Sequence, residues 1–202
     1  PDKTWLPGIF VQDNIKLNES QNLLMGLRYD NHSEHGNIWT PRIAYKLSIN
    51  DNNIIRLNAG TGFRVVNLFT EEHAALTGAR EVVITEELDP EQSLNLNLNY
   101  IRKMYFDDGT FIGLDASLWH TYFTNQILPD YDTNPNQIIY DNLDGHAITQ
   151  GVSVNFDVEF LSGLKILAGG TFMDVFTEEN VNGDVKRTRP LLTERMTGTW
   201  GV

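Results

Sequence analysis

The chain has 202 residues, and 27 acidic against 15 basic side chains give it a formal net charge of -12. That balance excludes a nucleic-acid partner, whose phosphates need Lys and Arg, and the lack of cysteine excludes a disulfide framework or thiolate metal site. No apolar run approaches the roughly 18 residues of a membrane helix, which leaves membrane-crossing strands open, because their alternation averages to a polar composition.

Period-2 alternation recurs from the start. Ile9, Val11, Ile15 and Leu17 oppose Phe10, Gln12, Asn14 and Lys16, and Asn18 to Gln21 make a short polar link. Leu23, Met25, Leu27 and Tyr29 then oppose Leu24, Gly26, Arg28 and Asp30, until the run Asn31 to Asn37 breaks the pattern. Trp39, Pro41, Ile43, Tyr45 and Leu47 form the next apolar face, closed by the turn cluster Asn50 to Asn53.

The stretch Ile54 to Tyr100 holds two amphipathic strands: Ile55, Leu57 and Ala59 in the first, Leu94, Leu96 and Leu98 in the second. Roughly thirty residues separate them, far beyond the two to five of an ordinary hairpin. Within that excursion Asn67 to Leu76 reads as a short helix ended by Gly78. Phe106-Asp107-Asp108-Gly109 is a hairpin signal, followed by Ile112, Leu114, Ala116 and Leu118 against Gly113, Asp115 and Ser117. After the polar tract Asn125 to Asp144 come Ile148, Val152, Val154, Phe156 and Val158. Ser162-Gly163 turns the chain into Leu164, Ile166, Ala168 and Phe172, and a last partial strand lies near Thr193 to Val202.

This gives about nine strands, longer than the five or six residues usual in globular proteins and near the nine to eleven that cross a bilayer. The connections alternate short (18–21, 49–53, 105–109, 162–163) and long (31–37, 64–92, 125–144, 178–188). In an up-and-down meander all short links then share one rim and all long loops the other, the asymmetry of outer-membrane barrels. The apolar face suits lipid. The opposite face, with Asn95, Asn97, Asn99, Asp115, Asp157, Glu159, Arg28, Arg42 and Arg56, needs a wide lumen, because a small dry core cannot bury so many polar groups. The expected fold class is all-β, an antiparallel up-and-down transmembrane β-barrel, partial, with about nine strands of a larger barrel.

Several stretches resemble TonB-dependent outer-membrane receptors. Gly62-Phe63-Arg64, then Asn67-Leu68-Phe69, then Leu88-Asp89-Pro90-Glu91-Gln92-Ser93 is similar to that family's signature in order and spacing. Asn142-Leu143-Asp144-Gly145 with Gln150-Gly151-Val152 resembles a later segment, Arg189-Pro190-Leu191-Leu192 a strand entry, and Pro7 to Asp13 an earlier strand. Val66 stands where the family usually has Pro, Asn99-Tyr100 where Glu-Gly is common, and Ser153 where Glu follows the Gly-Val. The resemblance implies a 22-stranded barrel, an N-terminal plug that contacts the TonB complex, and uptake of a scarce ligand such as an iron chelate or a cobalamin. It further implies a Gram-negative outer-membrane location with outer-membrane lipid around the wall. Residues 1–202 would then be part of the C-terminal β-barrel domain, with the plug and last strands outside them and exposed strand edges at both ends.

Candidate sites follow from both readings. Arg28, Arg42, Arg56 and Asp115 are expected on the lumen or ligand path, with Arg64 as a further cation, and the arginines are expected to pair with plug or barrel carboxylates. His32 and His35 have a metal-like spacing but no third ligand fixed nearby, so a polar loop tip is expected and no metal. Asp130, Asp132, Asp141 and Asp144 lack EF-hand spacing and read as a solvated acidic loop. Trp5, Trp39, Trp119 and Trp200 are expected in interface girdles. No catalytic constellation stands out, since nothing positions a third group beside Ser117 and His120. No cofactor and no enzymatic activity are therefore expected. The competing reading is a self-standing β-barrel or sandwich that binds a ligand or acts as an adhesin.

Overall fold

A computed structural model describes residues 5–66, 80–131, 133–181, 183–190 and 193–202. The described residues form thirteen strands: β1 (Gly8–Lys16), β2 (Gln21–His32), β3 (Gly36–Asn50), β4 (Asn53–Arg64), β5 (Glu81–Ile84), β6 (Glu91–Tyr105), β7 (Phe111–Asn125), β8 (Ile127–Asp130), β9 (Gln137–Asn142), β10 (Gly145–Glu159), β11 (Lys165–Val181), β12 (Asp184–Thr188) and β13 (Met196–Gly201). Ten of them form one antiparallel sheet in the order β1-β2-β3-β4-β6-β7-β10-β11-β12, with β13 also on β11. β12 lies against Thr177–Val181 and β13 against Leu167–Phe172, so the two share one edge and the sheet has nine strand positions. Among the described residues β1 does not pair with β12 or β13, so the sheet is open, as a partial barrel is and a self-standing closed barrel is not.

The register divides the sheet as the alternation demands. Asn99 faces Arg56 on one side and Ser117 on the other, so these share a face, while Leu98 faces Leu57 and Leu118 on the opposite one. Leu94, Leu96, Leu98, Leu118, Phe156 and Phe172 are exposed, so nothing among the described residues covers this apolar face. The apolar band also drifts across the sheet, as it must when strands tilt. It reaches its upper limit at the Tyr29–Trp39 pair on β2 and β3, whose rings lie 4.6 Å apart. On β11 it ends at Phe172, whose row runs through Val152, Leu118, Leu98, Leu57 and Tyr45 to Leu23, six residues before Tyr29.

The short turns form as expected. Phe106 donates its N–H to the Thr110 carbonyl at 2.9 Å, and Gly109 takes φ 81°, a backbone region only glycine enters freely. The Asp108 carboxylate accepts the Thr110 N–H at 2.9 Å, and that bond holds its pKa below the usual carboxylate range. Gly163 turns the β10–β11 hairpin in the same way, at φ 85°.

The long connections differ from the sequence reading. β2 and β3 continue to His32 and from Gly36, so the expected 31–37 loop is a hairpin tip of three residues. β11 runs on to Val181 and pairs with β12, where 178–188 reads as a polar loop. The tracts 64–92 and 125–144 contribute a second sheet, β5-β9-β8, in which β5 and β9 are parallel and β8 and β9 antiparallel. The strands of this second sheet hide from a hydrophobic pattern because they are only four to six residues long and bury one small cluster. The expected helix at Asn67 to Leu76, with Gly78, lies outside the described residues, as do Asn67-Leu68-Phe69, Asp132 and Leu191-Leu192.

Candidate ligand path and loop junction

The polar face of the sheet carries a ladder of side-chain bonds between neighbouring strands. Arg56 donates to the Asn99 Oδ1 at 3.3 Å, and Asn99 Nδ2 donates to Asp115 Oδ1 at 2.7 Å and Ser117 Oγ at 3.0 Å. Thr121 donates to Asn95 Oδ1 at 2.8 Å, and Asn95 Nδ2 to Ser93 Oγ at 3.1 Å. A recess on this face is lined by Gln12, Arg42, Asn58, Gly60, Asn95 and Asn97. Extended strands place every second residue here, so the ladder follows directly from the alternation.

The four arginines sort into two kinds. Arg28 grips Asp30 through Nε and Nη2, both at 2.7 Å, and Asp30 is fully buried. Arg64 Nε reaches Glu91 Oε2 at 2.6 Å. These two meet carboxylates, Arg28 on its own strand and Arg64 on the neighbouring β6. Arg42 donates instead to the Gln12 amide oxygen and Arg56 to the Asn99 amide oxygen. A neutral amide orients a guanidinium without cancelling its charge, so these two bring uncancelled charge to the polar face among the described side-chain contacts. Asp115, on the same face, accepts from the Asn99 amide and, among the described residues, from no cation.

Asn142, Glu91 and Arg64, which sequence resemblance singles out, meet where the second sheet joins the barrel rim. Glu91 is 6% exposed, and its second oxygen accepts the Ile127 backbone N–H at 3.1 Å. Asn142, at the end of β9, accepts from the Asp89 N–H at 2.9 Å and from Asn125 Nδ2 at 3.1 Å. Its own amide donates to Glu86 Oε1 and to the Glu87 carbonyl at 2.8 Å. Asn125, which the sequence reading assigned no role, also donates to the carbonyls of Asp89 and Pro90, at 3.1 and 3.3 Å. Ile127, Ile138 and Tyr140 pack into a small core with Val66, Val82 and Leu88 beneath these bonds.

The other motif residues have steric and positional reasons. A Cβ on Gly145 would overlap the Glu178 carbonyl, and one on Gly151 would overlap the Trp119 ring and stand 2.5 Å from the Phe172 carbonyl. Gly62 and Ser93 face each other across β4 and β6, where an added Cβ would sit 3.3 Å from the Ser93 hydroxyl. Pro90 ends the 86–90 segment and leads into β6. Phe63 lies between Gly62 and Arg64 and so on the opposite, apolar face of β4.

His32, Glu34 and His35 come together, with one ligand-capable atom of each within 4.8 Å of the others. The chemistry is that of a turn, since His32 Nδ1 accepts the N–H groups of Glu34 and His35, both at 3.2 Å. Glu34 is the third group that the sequence spacing alone did not offer, and His32 Nε2 is buried with no hydrogen-bond partner among the described residues. Trp39 and Trp200 lie on the apolar face, but Trp119 does not. It faces Asn97 and Gly151 on the polar side, and corrects the girdle expectation. Ser117 and His120 lie on opposite faces of β7, since Ser117 pairs with Asn99 and His120 with Leu96, so they share no site.

A wall with an uncovered apolar face, a laddered polar face and nine strand positions in an open sheet is part of a large membrane β-barrel. The family described as "TonB dependent receptor-like, beta-barrel" matches residues 2–200, and the chain belongs to it. Members of that family are receptors rather than enzymes. The chain is 27% identical over 136 residues to the ferric enterobactin receptor PirA of Pseudomonas aeruginosa, which covers 61% of this chain and 17% of that protein. It is 27% identical over 60 residues to the probable TonB-dependent siderophore receptor PirA of Acinetobacter baumannii, 30% of this chain and 8% of that one. The crystal structure of the Pseudomonas aeruginosa siderophore receptor PirA superposes with a TM-score of 0.68 at 20% identity, over 99% of this chain and 38% of that one. The FrpB iron transporter from Neisseria meningitidis gives 0.66 at 13%, over 91% and 27%. The chain thus spans less than a fifth of the curated relatives it matches.

Proposed function

We propose that the chain is a stretch of the barrel wall of a Gram-negative outer-membrane receptor that takes up an iron chelate with energy delivered through the TonB complex. In this reading residues 1–202 belong to a C-terminal barrel domain, a plug and further strands lie elsewhere in the protein, and lipid contacts the apolar face. The observation that carries it is the two-faced sheet, exposed apolar residues outside and a hydrogen-bonded polar wall inside. A self-contained soluble domain would have no use for the outer face.

Arg42 and Arg56, held by amides, suit an anionic cargo such as a ferric chelate. The names of the relatives, ferric enterobactin and siderophore receptors, favour iron over cobalamin. The test is uptake of radiolabelled ferric enterobactin by cells that lack their own catecholate receptors and express the full-length protein, with and without TonB. TonB-dependent accumulation supports the reading. Uptake of cobalamin instead, or accumulation indifferent to TonB, would overturn it.

A further inference from the structure

We infer that segment 80–90 of the β4–β6 connection and strands β8 and β9 of the β7–β10 connection work as one rigid body at the mouth of the barrel, and that Asn142 is the positioning residue that joins them. This goes one step beyond the receptor reading and rests on it for its functional meaning.

Two loops from different hairpins move separately unless something links them, since each is anchored only at its own strand ends. Here the link is continuous. β5, from the first connection, pairs along its whole length with β9 of the second, Glu81 with Gln137 through Ile84 with Tyr140. Gln137 Nε2 adds a bond to Glu81 Oε2 at 2.8 Å. Apolar contacts from both connections meet in one core, Val82 and Leu88 on Ile127, Ile138 and Tyr140. A three-stranded sheet over a small core is close to the minimum that holds together, so the polar junction decides whether it stays seated.

Asn142 is that junction. A primary amide offers two donors and one acceptor oxygen with two lone pairs, and all four are engaged: Glu86 and Glu87 on the donor side, Asp89 and Asn125 on the acceptor side. Three partners belong to the first connection, Asn142 itself to the second, and Asn125 to the end of barrel strand β7. One side chain therefore ties loop to loop and both to the wall. Neither Leu, with the same shape but no polar atoms, nor Asp, which cannot donate and would face Glu86, reproduces this. In the receptor reading, ligand contacts on either connection are then positioned by the other.

The test is hydrogen exchange by mass spectrometry on the purified full-length receptor without ligand, comparing wild type with Asn142→Leu and with the milder, exposed Glu86→Ala. Asn142→Leu should speed exchange about tenfold, the scale of one or two lost hydrogen bonds, in β5 and in β8–β9 together, and leave β6 and β7 unchanged. Glu86→Ala should shift the same segments by less. A Val83→Cys/Ile139→Cys cross-link in the Asn142→Leu background should restore protection to both connections. Acceleration confined to one connection, or none, would overturn the inference. Exchange does not depend on cargo, so a receptor that ignores ferric enterobactin yet shows coupled exchange would remove the proposed function and leave this one standing.

Discussion

Arg64 and Glu91 lie 2.6 Å apart at the upper ends of β4 and β6, directly opposite in register. The pair is asymmetric: the arginine side chain is more than half exposed, the glutamate nearly buried, with its other oxygen on the Ile127 N–H. Removing the glutamate strands a buried amide, whereas removing the arginine exposes a carboxylate that water can reach from one side. Glu91→Ala should therefore cost about 1–3 kcal/mol locally, Arg64→Ala less. Exchange at Ile127 in the purified receptor reads both, and an equal effect would contradict the asymmetry.

Gly151 is the point where the Trp119 ring crosses β10. Gly151→Ala should lower the folded fraction by about 1–3 kcal/mol, the usual scale of overpacking. The double variant Gly151→Ala/Trp119→Ala should recover only part, because the Phe172 carbonyl still opposes the new methyl. Gly145→Ala, which meets backbone at Glu178, should be worse than Gly151→Ala and not rescued by any side-chain change. Folded fraction in detergent or lipid, from the heat-modifiable mobility of the barrel, measures all three.

Charge on the outer face should cost by depth. Leu96→Arg lies within the apolar band and should destabilise by about 2–4 kcal/mol, while Gln150→Arg, at its upper limit on β10, should cost about 0–1. Asn97→Arg, one residue from Leu96 but on the polar face, should be tolerated. Folding titrations into lipid vesicles give the ranking. Equal penalties at positions 96 and 97 would remove the assignment of faces.

The Asp108 turn should respond to acid. Its folded pKa is depressed, so its contribution is present above the ordinary carboxylate pKa and is lost as pH falls through the folded value. Exchange at the Thr110 amide, normalised for its intrinsic pH dependence, should accelerate on acidification in the wild type. In Asp108→Asn, whose side chain does not titrate, that step should be absent.

Much of the wall was legible in the chain. Alternation alone assigned both faces of β2, β3, β4, β6, β7 and β10, because a half-solvated strand has no freedom to mix them. It would also have placed Trp119 correctly had the alternation of Asp115 and Ser117 been carried two residues further. The pairing of Arg28 with Asp30 lies in the i, i+2 spacing, which puts both on one face of a strand.

The junction was not legible in that way. Asn142, Glu86, Asp89 and Asn125 are separated by up to 56 residues, and nothing local distinguishes them from other polar residues in polar loops. Resemblance singled out Asn142 and Glu91 without a reason. The same holds for β5, β8 and β9, which at four to six residues are too short to carry a clear hydrophobic period. The amino-acid sequence by itself determined a membrane wall and its two faces, since solvent on one side and lipid on the other write a period of two into every strand that crosses. Only the tertiary structure decided which distant loop residues meet at the mouth, because those contacts depend on chain closure over long separations and leave no periodic trace.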